Sequence, residues 1–412
     1  MKHFISDFHI HSKFSRATSP DMDIPNLAAT ARIKGISLLG TGDFTHPEWF
    51  KILKRELEDA GGGLYRYKDT YFILTAEVSN IYFKAGKTRR VHNIIFAPDF
   101  EVAFEISKSI GEYGNLSSDG RPILSLESDR LVKKIREISK IAFIVPAHIW
   151  TPHFSLFGSN SGFDKIEECY EDETNFIYAM ETGLSSDPPM SWRVSELDRI
   201  SLVSNSDAHS PNKIGREANV FDKKFSYLEL LDILKNRDSS RFLYTVEFFP
   251  EEGKYHWDGH RACNVRLSPD ESKNVSNRCP NCGKKLTVGV LNRANLLSDR
   301  PEGFVLSGVP GYKSLVGLAE IISEALKVGS DSLTVEKEYR KLIGIFGSEF
   351  EILLEAPEEE LLKNCPRMVA LGIINARTGK VKKIAGYDGV YGRIKTLDNL
   401  ETEESNKQLE FF

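Results

Sequence analysis

The chain has 412 residues, 41% of them hydrophobic and 27% charged, and a formal net charge of −5. That length predicts two or three domains, and the composition is that of a soluble globular protein. Apolar runs such as residues 141–145 are too short to cross a bilayer, and no signal-peptide pattern opens the chain, so a cytoplasmic protein with no membrane partner is expected. The net charge does not advertise nucleic-acid binding, although it averages over domains. The five cysteines are an odd number and three of them cluster, which favours a metal site over a disulfide framework.

From residue 1 to 245, strand-like runs alternate with helical patterns. Phe4-Ile5 leads into Asp7-Phe8-His9-Ile10-His11. Residues 24–34 read as a helix and 35–39 as the next strand, followed by Asp43 and His46. Phe72-Ile73-Leu74 leads to Glu77, and His92 follows. Residues 131–139 have helical spacing before the strand at 141–145, which ends on His148. Tyr178-Ala179-Met180 leads to Glu181, Ser201-Leu202-Val203 leads to Asp207-Ala208-His209, and 228–234 is a late helix. Repeated βα units predict a largely parallel sheet closed into a barrel. Polar residues at the ends of several strands are the arrangement of the C-terminal face of such a barrel.

Imidazole and carboxylate are the usual ligands of borderline divalent cations such as zinc or manganese. Alternate strand positions point the same way, so His9 and His11 can face one cation. The candidate ligands are His9, His11, Glu77, His148, Asp207 and His209, with Asp43, His46, His92 and Glu181 beside them. The region reads as a metal-dependent enzyme, a hydrolase with several metals.

Beyond residue 245 the composition shifts, and residues 256–282 are poor in apolar side chains and rich in Cys, His, Pro and Gly. Cys279-Pro280-Asn281-Cys282-Gly283 is a knuckle that turns two thiolates toward one ion. His260 and Cys263 share its two-residue gap and can form the opposing knuckle of one structural zinc site. His256 competes for the fourth position. Cys169 and Cys365 read as buried thiols. Residues 312–328, 334–346 and 357–364 carry helical spacing. The stretch from Arg377 through Lys380, Lys382, Lys383, Arg393 and Lys395 is basic, with Tyr387, Tyr391 and several glycines interleaved. It can track a phosphate backbone and stack bases, or it is a solvated basic turn. The divisions expected are a catalytic barrel at 1–245, a zinc module at 246–290, a helical domain that carries the basic stretch at 291–400 and a flexible tail at 401–412.

Asp7-Phe8-His9-Ile10-His11-Ser12, the Glu77 and His148 strands and Ser206-Asp207-Ala208-His209 resemble the polymerase and histidinol phosphatase (PHP) superfamily. The resemblance implies a distorted seven-stranded βα barrel holding up to three Zn, Mn or Mg ions and hydrolysing phosphate esters. Two departures stand out. The superfamily has Thr-Asp-His where this chain has Gly42-Asp43-Phe44-Thr45-His46, so Asp43 or a shifted His46 must serve. It also often has a ligand where Arg16 and Ala17 stand, so one metal is expected to be held differently.

The zinc-module motifs and Asp299-Arg300-Pro301-Glu302-Gly303 extend the likeness over essentially the whole chain, which resembles the archaeal endonuclease Q family. The resemblance implies DNA nicking on the 5′ side of uracil, hypoxanthine, xanthine or abasic sites. His9, His11, Glu77, His148 and Asp207 would hold the metals, and His209 would orient the phosphate or complete a metal shell. The terminal run Asn406-Lys407-Gln408-Leu409-Glu410-Phe411-Phe412 resembles a sliding-clamp-binding peptide using Leu409, Phe411 and Phe412. Two other readings stay beside this one: a small-molecule phosphoesterase of the histidinol-phosphatase type, and a non-catalytic repair scaffold.

Overall fold

Residues 3–397 are described by the computed structural model. Strand Phe4–Asp7 pairs in parallel with Leu38–Gly40, which pairs in parallel with Thr70–Lys84. Thr70–Lys84 turns through Gly86 into the antiparallel strand Lys87–Ala97, whose other edge takes Phe143–Pro146. Ala179–Glu181 and Ser201–Val203 form a separate parallel pair. That pair is stitched to its neighbours by Ile149 N donating to Glu181 O at 3.0 Å and by a parallel bridge between Ile10 and Ala208. On its other edge, Phe4–Asp7 pairs with Ala218–Phe221, followed by Phe242–Phe248 and then Gly311–Leu315. The architecture is a mixed α/β fold around a central sheet.

Side-chain alternation along the strands fills two apolar layers. Phe8, Ile73, Phe96, Val145, Ala179 and Val203 join one cluster, while Phe72, Leu74, Ile95, Ile144 and Met180 pack in the other, under the helices. Burial on both faces explains why these strands read as continuous apolar runs rather than alternating ones. Helix Ile24–Lys34 begins where Asp23 accepts from Asn26 N and ends at Gly35, whose φ of 86° is left-handed. Tyr227–Asn236 starts with a capping box between Ser226 and Glu229. These two start signals and the Gly35 stop are readable in the sequence.

The expected helix at 312–328 is a strand followed by a helix, Gly311–Leu315 and Leu318–Leu326. The exposed edge of Phe242–Phe248 offers a ladder that residues 311–315 complete, and a partner 60-odd positions away is invisible to local periodicity. The helices Leu318–Leu326, Leu333–Phe346, Glu358–Asn364 and Arg367–Arg377 follow. Their buried residues join the same apolar cluster as those of the sheet, whereas Val265, Cys279 and Leu286 form a small cluster of their own.

The basic stretch is also more structured than a turn. Lys382–Ile384 and Arg393–Lys395 form an antiparallel hairpin. Its loop is zipped onto residues 251–257 through Gly386 N to Glu251 O, Gly392 N to Glu252 O and Trp257 N to Gly386 O. A Cβ at Gly392 would stand 2.0 Å from Glu251 O, so only glycine permits that approach. No helix among the described residues is long and apolar enough to cross a membrane.

Candidate metal centre

His9 and His11 follow the end of strand Phe4–Asp7, and their side chains are buried. His9 Nδ1 lies 2.9 Å from Glu181 Oε2, and His11 Nδ1 lies 3.1 Å from Asp43 Oδ1. Each carboxylate is itself anchored. Glu181 accepts from His148 N and Asn205 Nδ2, and Asp43 accepts from Ser12 N and the Ser12 and Ser15 hydroxyls. With Nδ1 engaged, the Nε2 atoms turn toward Glu77 and Asp207. His11 Nε2 is 3.1 Å from Asp207 Oδ1 and 3.3 Å from Glu77 Oε2. His9 Nε2 is 3.5 Å from Glu77 Oε2 and 3.6 Å from Asp207 Oδ1.

His9, His11, Glu77 and Asp207 offer ligand atoms within 4.8 Å of one another, and Glu77, His92 and His148 form a second such group. Glu77 belongs to both, so its two oxygens can serve two cations. His92 Nδ1 lies 2.8 Å and His148 Nε2 3.2 Å from Glu77 Oε1. The donor set suits divalent cations, and His9 Nε2 is buried without a hydrogen-bond partner, as an atom reserved for an ion would be. A carboxylate behind each ring is the arrangement that fixes metal-bound histidines. Asp43 and Glu181, expected as ligands, therefore stand behind His11 and His9 and outside both ligand groups.

His46 is not shifted into the site. Its ring accepts from Trp49 N as the N-cap of helix Pro47–Glu56 and stacks on Phe14 at 4.5 Å. Arg16 pairs with Asp119. Asp7 holds the neighbouring loop together, accepting from Ser206 N at 3.1 Å and Gly215 N at 2.8 Å. Asp43, His148 and Asp207 have φ of 50°, 30° and 47°, backbone that side-chain-bearing residues rarely adopt and that collects at functional sites.

The electrostatics follow from burying so many ionisable groups together. Burial resists charging His9, yet Glu181, Glu77 and Asp207 outweigh it and hold the ring well above the ordinary imidazole range. Burial opposed by Asp43 and Asp207 does the same for His11. Glu77 and Asp207 are held well below the usual carboxylate range despite burial, by His92 and Arg121 on the first and His9 and His11 on the second. Burial pushes His92 down to about 4, against the pull of Glu77. The pocket attracts positive charge, and a divalent cation there competes with ring protons.

His209 lies beside the first ligand group, with its ring 4.5 Å from that of His11 and its side chain 31% exposed. Burial lowers its pKa, so it is neutral near pH 7. Its Nδ1 is 2.9 Å from Asp207 O, which places the ring proton on Nδ1 and the lone pair on Nε2. Sequence reasoning missed Arg121, whose Nη1 lies 3.1 Å from Glu77 Oε2. It sits in a loop with no strand end or motif to mark it.

The second cluster assembles as expected. His260, Cys263, Cys279 and Cys282 bring their ligand atoms within 4.8 Å of one another. His256 is excluded: it is buried, with its Nδ1 3.2 Å from Ser185 O. Cys169 and Cys365 are buried free thiols. Among the basic residues, Arg377 is a correction. Its guanidinium is spent inside the fold, donating to Leu353 O at 2.8 Å, Ala356 O at 2.7 Å and Ile352 O. Those are the last carbonyls of the π-helix Glu351–Glu355 and its end, which lack partners of their own. Lys380, Lys382, Lys383 and Arg393 are exposed and Lys395 is half-buried, with Lys383 3.0 Å from Glu251. Leu409, Phe411 and Phe412 lie outside the described residues.

Residues 317–380 match the family described as the MJ0043 C-terminal domain. The chain is 32% identical over 421 residues to the uncharacterised protein YqxK of Bacillus subtilis, covering 96% of this chain and all 100% of that one. It is 33% identical over 253 residues to the uncharacterised protein MJ0043 of Methanocaldococcus jannaschii, covering 60% of this chain and 31% of that one. The lesion-specific endonuclease PfuEndoQ of Pyrococcus furiosus superposes with a TM-score of 0.86 at 31% identity, over 95% of each chain. An endonuclease Q in complex with a 27-mer duplex carrying an abasic lesion at its active site gives 0.86 and 31%, over 95% of this chain and 96% of that one. The chain belongs to the endonuclease Q family.

Proposed function

We propose that the chain is a metal-dependent DNA repair endonuclease that cuts the phosphodiester on the 5′ side of deaminated bases or abasic sites. It is a hydrolase acting on phosphodiester bonds. The observation that carries the reading is the pair of ligand groups sharing Glu77, beside the partly exposed Asp207. Bound divalent metals would supply an activated water and neutralise charge at phosphorus. His9, His11, Glu77 and Asp207 would hold one ion and Glu77, His92 and His148 another. Glu181 and Asp43 fix ring orientation, so the Nε2 atoms need no reorganisation when an ion arrives. His209, neutral and with its lone pair on Nε2, is suited to completing a metal shell rather than to donating to a phosphate.

We read the strands from Phe4–Asp7 round to Ser201–Val203, joined by the Ile10–Ala208 bridge, as a distorted seven-stranded barrel of PHP type. The Cys₃His knuckle would carry zinc. Lys380, Lys382, Lys383, Arg393 and Lys395, with the exposed Tyr391, would contact DNA. The 1–245, 246–290, 291–400 and 401–412 divisions would mark the catalytic, zinc, DNA-binding and clamp-binding parts. Removing residues 409–412 should abolish binding to a sliding clamp in a titration and leave intrinsic nicking unchanged.

The test of the main reading is a gel assay on duplexes containing uracil, hypoxanthine, xanthine, an abasic site or no lesion, with Mn²⁺, Mg²⁺ or chelator. Metal-dependent nicking 5′ to a lesion is expected. Hydrolysis of phosphomonoesters with no DNA cleavage would replace this reading with that of a small-molecule phosphatase. Lesion binding without turnover would leave a scaffold.

A further inference from the structure

The ligand groups would account for metals and an activated water, but they contain no permanently charged cation to face a substrate's anionic oxygens. A phosphodiester gathers negative charge on its non-bridging oxygens as it reacts, and a positioned cation with several N–H groups stabilises it there. Among the described residues, Arg121 is the arginine or lysine that pairs with a carboxylate of the two metal groups. Its Nη1 approaches Glu77 Oε2, the same oxygen that His9 and His11 face, and among the described residues that is the hydrogen bond its side chain makes. The remaining guanidinium N–H groups are free to bind an anion, and the side chain is 28% exposed, open to an incoming ligand.

The loop that carries it is fixed where it needs to be. Arg121 N donates to Asp119 Oδ1 at 3.2 Å, and Asp119 also holds Arg16. Gly120 N donates to Phe14 O at 3.0 Å. A Cβ at Gly120 would lie 2.2 Å from Asp43 Oδ2 and 2.3 Å from Ser15 Oγ. The backbone next to Arg121 is therefore pressed against the very carboxylate that orients His11, and only glycine allows it. The loop and the first ligand group are one packed unit.

We propose that Arg121 is a further catalytic residue, the guanidinium that receives the non-bridging oxygens of the scissile phosphate, an inference that rests on the phosphodiesterase reading. Glu77 would hold a divalent cation in the loaded protein and share its charge with that ion, which would leave the Arg121 fork for a phosphate. No bond is made or broken at Arg121. Lysine would keep the charge and lose the bidentate fork.

The test uses full-length protein loaded with Mn²⁺, as wild type, Arg121→Ala and Arg121→Lys. Single-turnover nicking of an abasic duplex should fall by about 10²–10³-fold in the alanine variant, the loss typical of removing one transition-state donor. The lysine variant should fall between, and added guanidinium should restore part of the activity of Arg121→Ala and none of Arg121→Lys. Bound Mn²⁺, read by elemental analysis, should be unchanged. An alanine variant within about threefold of wild type, or one whose loss follows lost Mn²⁺, overturns the inference. Inorganic phosphate binding to the Mn²⁺-loaded proteins, by calorimetric titration, separates the two levels. Should wild type nick no duplex, the nuclease reading fails, and weaker phosphate binding by Arg121→Ala still supports the arginine's role while equal binding overturns it.

Discussion

The ligands His9, His11, Glu77 and Asp207 come from distant strand ends, the first three buried and Asp207 partly exposed, and the two rings are braced by Glu181 and Asp43, with Asn205 on Glu181. His260, Cys263, Cys279 and Cys282 come from one short run, against a small cluster whose buried members among the described residues are Val265, Cys279 and Leu286. The first site is organised by the fold before any ion arrives. The second has little apolar burial to order its loops, and on the proposed reading a bound zinc would do so. Structural zinc contributes on the order of 10–16 kcal/mol in such small modules. On the proposed reading, one site would spend the fold's stability on chemistry and the other would draw stability from a metal.

The largest expected effect breaks the buried site's chemistry without its fold. Asp207→Asn should lower nicking by at least about 10²-fold, with circular dichroism and the unfolding midpoint close to wild type. Loss of folding in that variant would mean that the site is not organised in advance.

Next in size is the reverse effect at the knuckle. Chelation, or Cys279→Ser, should expose residues 256–287 to protease and raise their amide exchange while the central sheet stays protected. Uniform protection in the chelated protein would erase the contrast.

A smaller loss is expected from the braces. Glu181→Gln keeps the size and an acceptor but weakens the hold on His9 Nδ1. Metal affinity should fall about 10–100-fold. Unchanged affinity in a metal titration would show that the ring is positioned by packing alone.

The smallest effect is a pH dependence of stability. Burial pushes Glu247 up to about 8, although the hydroxyls of Ser204 and Thr182 donate to its Oε2. A carboxyl whose pKa is raised on folding contributes stability below about pH 4.5 that is lost as pH rises through about 8. In chelator, Glu247→Gln should therefore fall in stability less than wild type between about pH 5 and pH 8. Parallel curves from denaturant titrations would refute it.

Much of the site was legible because its signals are local. Two histidines at strand alternation, an acid at the end of an apolar run and paired two-residue knuckles each need only a few neighbours. His92 became a partner of Glu77 through hairpin register: Glu77 pairs with Ile94 and Ser79 with His92, so His92 is its diagonal neighbour on one face. The basic stretch was legible as charge but not as contacts, since Arg377 is drawn inward by carbonyls from a separate helix.

The sequence by itself determined the ligand chemistry, the alternation of strands and helices, the knuckle and the family likeness, because residue type and short spacing carry them. Tertiary structure alone decided that Asp43 and Glu181 stand behind the rings, that residues 311–315 are a strand, and that Arg121 reaches Glu77. Each of those depends on which distant segment supplies the partner. Backbone pairing and close packing choose that partner, and no local pattern records the choice.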